Sequence, residues 1–150
     1  MKFISPLIAV KDLAAARAFY ETVLGQRITL DLGANLSFAG FALQENYAGL
    51  VGVGELPITY RPNDHEMYFE EESFDTFLAH LEKFDIAYLH RAKEYPRGQR
   101  VVRFYDPDGH IIEVGESMES VFRRFHAQGM SVEQVAERTS HPVEFVRQYI

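Results

Sequence analysis

Arg103 and Glu113 are the side chains in this 150-residue sequence whose types and spacing first suggest chemistry. They flank Asp106-Pro107-Asp108-Gly109, in which Asp suits the first turn position, Pro presets φ at the second, and Gly accepts the left-handed conformation at the fourth. If Pro107, Asp108 and Gly109 form the loop with a glycine bulge, Tyr105 falls opposite Ile111, Phe104 opposite Ile112, and Arg103 opposite Glu113. Period-two alternation then places Arg103, Glu113, Tyr105, Val101 and Ile111 on one face, and Phe104, Ile112, Val102 and Val114 on the other. A guanidinium facing a carboxylate can close an ion pair, or, where it is not fully neutralised, receive an anionic or carbonyl-bearing ligand.

Other routes to catalysis carry no signal. There is no cysteine, which excludes disulfides, thiolate catalysis and cysteine metal sites. His80, His90, His110, His126 and His141 include no pair at the four-residue spacing of helical metal ligands, and each reads as surface or packing. No phosphate-loop pattern or Ser, His, Asp set emerges. The basic run Arg97-Gly98-Gln99-Arg100 reads first as a solvated loop beside the hairpin, and second as the lip of a cleft.

The elements that must position these groups follow from the pattern. Residues 2 to 10 read as a strand with an edge or bulge at Pro6. Asp12 caps a helix with Leu13, Ala16, Phe19, Tyr20 and Val23 at helical spacing, and Gly25 stops it. Residues 26 to 32 form a second strand, and 35 to 39 with 41 to 46 a hairpin bent at Gly40. Residues 47 to 64 form a long loop with one short helical turn, either functional or a solvent-exposed excursion. His65 to Glu71 is a strand, Ser73 (or Glu72) caps a helix carrying Phe74, Phe77, Leu78 and Leu81, and Ile86 to His90 is a strand before the hairpin. Strand, helix and three strands thus appear twice, at 2 to 46 and 65 to 115, an internal repeat. Two such modules, paired into a curved mixed sheet around a cleft, make an α+β fold with a natural small-molecule site.

After Glu116 the character changes. Residues 117 to 128 read as an amphipathic helix stopped by Gly129, Ser131 to Gln134 as a capping box opening a second helix, and Pro142 as the first residue of a third. The domain organisation is therefore residues 1–116, with modules of about 1–46 and 65–115, and a three-helix extension over 117–150. Three short helices have the skeleton of a helix-turn-helix. Yet residues 116 to 150 hold four Arg, no Lys and five Glu, a net charge of −1, where a DNA reader presents a basic face. The apolar faces are instead expected to pack on the sheet domain or on a second subunit.

Composition bounds the partners. At 47% hydrophobic and 25% charged the chain is an ordinary globular one, and its net charge of −7 works against nucleic acid or an anionic membrane surface. No apolar run approaches a membrane span and no signal peptide is evident, so a cytoplasmic location is the expectation.

The opening Pro6-Leu7-Ile8-Ala9-Val10-Lys11-Asp12-Leu13, with Phe19-Tyr20, Leu24-Gly25 and above all Phe104-Tyr105-Asp106-Pro107-Asp108-Gly109-His110-Ile111-Ile112-Glu113, resembles the vicinal oxygen chelate superfamily. That group holds glyoxalase I, bleomycin-resistance proteins, fosfomycin-resistance enzymes and extradiol dioxygenases. The resemblance covers residues 1 to 116. It implies one divalent ion (Zn, Ni, Mn or Fe) in the metal-dependent members, held by positions that fall here on Ser5, Gln44, Glu66 and Glu113. Ser5, where the superfamily has His, Gln or Glu, is a poor ligand, which leaves Gln44, Glu66 and Glu113 as the metal donors. Phe69 matches the buried aromatic of the superfamily strand, so Met67 and His65 share its side while Glu66, Tyr68 and Glu70 face the cleft.

Three functions follow as alternatives. One is a metal-free, bleomycin-resistance-type protein that binds a small planar or anionic molecule between the modules through Ser5, Gln44, Glu66, Tyr68, Arg103 and Tyr105. The second is a glyoxalase I-type lyase or isomerase, in which the ion polarises vicinal oxygens and Glu113 or Glu66 serves as ligand and general base. The third is a scaffold with a vestigial cleft. The incomplete metal set and Arg103 beside Glu113 favour the first. The superfamily's habit of building the cleft from paired modules or paired chains implies a homodimer as one arrangement.

Overall fold

The computed structural model describes residues 1–150, which divide into two compact units. The first comprises residues 1–65 and 105–110, and the second residues 66–104 and 111–150.

In the first unit, β1 (Leu7–Val10), α1 (Leu13–Thr22), β2 (Leu30–Asp31), β3 (Asn35–Ser37) and β4 (Ala42–Glu45) build a four-stranded sheet of order β1-β4-β3-β2. β1 runs parallel to β4, and the other pairs are antiparallel. The Asp12 side chain accepts from Ala15 N–H at 2.9 Å, the cap its position predicts. Tyr20, buried on α1, meets Phe38 and Phe41 at ring-centroid distances of 5.9 and 5.3 Å. The first strand is shorter than the sequence pattern suggests. The Pro6 carbonyl still accepts from Ala42 N–H at 3.1 Å, but pairing begins at Leu7 opposite Ala42. Ser5 therefore precedes the strand on which it was expected. The region 47–64 contributes one turn of helix, α2 (Tyr47–Val51), and no further element.

The tip of the later hairpin, residues 105–110, belongs to this unit. Asp106 organises it. Its carboxylate accepts from Asp108 N–H at 3.0 Å, His110 N–H at 2.8 Å, His110 Nδ1 at 2.8 Å and the Tyr20 hydroxyl at 3.0 Å. Burial and the neighbouring Asp106 hold the Tyr20 hydroxyl well above its ordinary pKa. Gly109 adopts φ +88°, as the turn demands, and an added Cβ would strike the Arg61 side chain.

In the second unit the module repeats: β5 (Glu66–Glu71), α3 (Phe74–Leu81), β6 (Tyr88–Glu94), β7 (Arg100–Tyr105) and β8 (Ile111–Glu116), in sheet order β5-β8-β7-β6. β5 is parallel to β8, with Tyr68 opposite Glu113. β6 begins two residues later than predicted and runs past His90 to Glu94, which brings His90 into register with Arg103. Ser73 occupies the cap of α3 but makes no side-chain capping bond. On the inner face Val102, Phe104, Ile112 and Val114 are buried with Phe74 and Leu81 of α3. The fold class is thus α+β, with two βαβββ modules and C-terminal helices.

The helices α4 (Met118–Ala127), α5 (Val132–Thr139) and α6 (Val143–Val146) are part of this second unit. The Ser131–Gln134 capping box is present, while Pro142 sits at the cap of α6 and not inside its first turn. Val121, Phe122, Phe125, Val135, Ala136 and Val146 form their shared apolar core. α4 also presses on the loop before β7. Gly98 (φ +89°) lies so close to the Phe125 ring that no Cβ fits, Arg124 donates to the Gly98 carbonyl at 2.6 Å, and Arg138 of α5 donates to the Pro96 carbonyl at 2.6 Å. No helix is long and apolar enough to cross a membrane.

Candidate functional site

β7 carries the central cation. The Arg103 side chain is about one-fifth exposed and all its nitrogens have partners. Nε donates to Glu66 Oε2 at 2.8 Å and Nη2 to Glu66 Oε1 at 3.3 Å, while Nη1 donates to the Tyr95 hydroxyl at 2.7 Å and to His90 Nε2 at 3.2 Å. Nη2 also meets the Glu113 carboxylate across the hairpin. His90 Nδ1 lies 2.9 Å from the Arg91 carbonyl and so carries the ring proton, which leaves Nε2 as the acceptor Arg103 needs. A planar fork held at every prong is a fixed positive charge with little freedom to leave.

Glu113 is buried, and its Oε2 meets no polar group besides the Arg103 guanidinium, its charge partner. Glu66, more exposed, is the second carboxylate. Together the three side chains carry two negative charges and one positive.

The other predicted residues lie elsewhere. In the first unit Gln44 is buried on β4, its amide oxygen accepting from Asn35 Nδ2 at 3.0 Å and its amide nitrogen donating to the Glu45 carbonyl at 2.6 Å. Tyr105, also in that unit, has the Arg61 guanidinium 5.1 Å from its ring centroid. In the second unit the Tyr68 hydroxyl donates to Glu70 Oε1 at 2.7 Å and accepts from Gln99 Nε2 at 2.9 Å. Burial and Glu70 together push the Tyr68 hydroxyl pKa up to about 12.

Beside Arg103 and Glu113 the second unit holds a cavity of about 430 Å³. Its polar lining comes from Tyr95, Arg97, Gln99, Arg103, Glu113 and His141, its apolar lining from Pro96, Val101 and Met118. That volume suits a small organic molecule. Sequence reasoning missed Tyr95, Met118 and His141, while Arg97 and Gln99 belong to the run 97–100 whose second reading was the lip of a cleft. Nothing local to the sequence marks Met118 or His141, because the folding back of the extension is what brings them there.

The donors named for a divalent ion do not fit one as they stand. The Arg103 guanidinium occupies both Glu66 and Glu113, the Gln44 oxygen serves Asn35, and no three His, Asp or Glu side chains converge to hold a cation. An ion beside these carboxylates would also be repelled by the fixed guanidinium.

The chain is similar to known proteins over most of its length. Residues 3–119 match the family described as Glyoxalase-like domain. A protein of unknown function from Agrobacterium tumefaciens is similar in structure at 33% identity and TM-score 0.69, over 78% of this chain and 94% of that one. A lactoylglutathione lyase from the same organism shares 24% identity at TM-score 0.60, covering 79% and 96%. A fosfomycin resistance protein from Mesorhizobium loti shares 20% at TM-score 0.55, covering 77% and 92%. Residues 120–150 lie beyond the family match.

Proposed function

From the premise that the chain belongs to the Glyoxalase-like domain family, within the vicinal oxygen chelate superfamily, we propose that it is a metal-independent small-molecule-binding protein of the bleomycin-resistance type. Its ligand occupies the cavity of the second unit. The observation that carries this reading is the Arg103 guanidinium, spread over Glu66 and Glu113 at the wall of a ligand-sized space. A fixed organic cation there supplies the positive charge without exchangeable coordination positions, so it favours binding over Lewis-acid chemistry.

The test uses the full chain, purified without chelator. Metal content is assayed, and zinc, nickel, manganese and iron(II) are titrated while thermal stability and hemithioacetal isomerisation are followed. In parallel, a fragment panel is mapped by amide-shift NMR. The expected result is no stabilisation by the ions, no turnover, and fragment shifts centred on Gln99, Val101 and Glu113. Turnover with nickel or zinc, or fragments that leave those amides unmoved, would overturn the reading. The lyase alternative, with Glu113 as ligand and general base, is supported only by the pair of carboxylates.

A further inference from the structure

We infer that this cavity selects a small neutral aromatic molecule through its N–H groups, and that the C-terminal extension, as the outer wall, supplies one of the acceptors, His141. The inference rests on the binding reading above and names the ligand class.

The ligand class follows from the polar groups that the protein leaves unpaired on the lining. The five N–H groups of Arg103 have five partners, the two oxygens of Glu66 together with Glu113, Tyr95 and His90, so the guanidinium has no donor to offer. Gln99 Nε2 donates to the Tyr68 hydroxyl at 2.9 Å and to the Glu116 carbonyl at 3.0 Å. A carbonyl only accepts, so the amide orientation is fixed and Oε1 is its unpaired end. His141 Nδ1, 2.9 Å from the Thr139 carbonyl, carries the ring proton for the same reason, which makes Nε2 an acceptor. The ring is held edge-on to Phe122 at 5.1 Å and stacked on Phe145 at 5.8 Å. Glu113 turns Oε2 to Arg103, and its Oε1 receives no hydrogen bond. Against these three acceptors the lining sets one oriented donor, the proton of the Tyr95 hydroxyl, whose oxygen accepts from Arg103. Arg97 is an exposed loop side chain.

An acceptor covered without a donor loses its water and gains nothing, so a molecule that fills this space has to bring N–H groups. The Tyr95 proton matches a carbonyl on the same molecule. Charge is settled by the neighbours. Glu66 and Glu113 share one guanidinium, so an anion meets a net negative charge, while a cation meets the fixed guanidinium itself. A primary amide or urea on a flat ring has the N–H groups, the carbonyl and an apolar body for Val101, Met118, Pro96 and the Tyr95 ring. The extension sets much of this pattern. His141 stands in the turn between α5 and α6, and Arg124 and Arg138 grip the Gly98 and Pro96 carbonyls of the loop that ends in Gln99.

The test is calorimetric titration of the full chain with benzamide, acetophenone, benzoate and benzamidine, four molecules of nearly one shape, alongside the fragment mapping. Benzamide is expected to bind about tenfold more tightly than any of the others. His141→Phe keeps the ring between Phe122 and Phe145 but removes Nε2. It is expected to weaken benzamide about fivefold and to leave acetophenone unchanged, with His141→Gln recovering part of the loss. Should His141→Phe fail to fold, the ranking of the four molecules on the parent chain decides alone. Acetophenone, benzoate or benzamidine bound as tightly as benzamide, or a loss in His141→Phe shared equally by benzamide and acetophenone, overturns the inference, while a fragment footprint on Val101 and Glu113 leaves the binding reading standing. Absence of that footprint overturns the reading beneath it.

Discussion

Replacing Arg103 by Met separates the roles of the guanidinium, because it keeps the apolar stem and removes the charge. Glu113 then loses its only charge partner at a site where its side chain is 10% exposed, whereas Glu66, at 38%, can turn to water. Breaking a fully buried pair costs about 3–5 kcal/mol, and an exposed pair about 0–1 kcal/mol. With Arg103 itself 20% exposed, the loss falls at about 2–4 kcal/mol. For a chain of this length that lowers the melting temperature by roughly 5–15 °C, read by calorimetry. Glu113→Gln in the same background removes the stranded charge and is expected to recover most of the loss. If the guanidinium is what keeps a divalent ion from these carboxylates, zinc or manganese will raise the melting temperature of Arg103→Met but not that of the parent. A variant that melts within a degree of the parent, or a parent stabilised by the ions as much as the variant, refutes the reasoning.

Two further outcomes test the support of the cavity. Gly98→Ala places a Cβ against Phe125 at φ +89°, and urea denaturation is expected to show a loss of about 2–4 kcal/mol. At Glu116, burial acts to raise the carboxyl pKa, but hydrogen bonds from Arg100 and Arg124 prevail and hold it below the usual range. A depressed folded-state pKa means that the stabilisation is present above the unfolded value, about 4.3, and is lost as pH falls through the lower folded one. Glu116→Gln should therefore be less stable at pH 7 and show a flatter decline below pH 4.5, measured as urea midpoints against pH.

The module repeat and the hairpin turn were legible because local chemistry decides them. Asp12, Gly109 and the Ser131–Gln134 box are read within a few residues of sequence, and each does in the structure what its type requires. The extent of β1 was not legible, since nothing nearby says that pairing starts after Pro6. His90 read as a bystander after a strand because its role depends on a bulged register that sets it beside Arg103. At the site, the facing of Arg103 and Glu113 followed from hairpin parity, and the choice of Glu66 over His65 from parity along β5. The cavity's outer wall depends on helices packing back over a loop, a contact between residues some forty positions apart that no period in the sequence records.

The hairpin tip has a consequence for how the chain can assemble. Residues 105–110 close the first unit, yet they follow nearly all the strands of the second in sequence. The buried Tyr20–Asp106 bond spans 86 residues, and the Lys11–Asp108 contact spans 97. Neither unit is a continuous stretch of polypeptide, so a chain cut after His65 yields a first unit without its plug and a second bearing a loop that has lost its seat. Such long-range closure is slow to form. During synthesis the first sheet has to wait, incompletely sealed, until residue 110 of the 150 has been made.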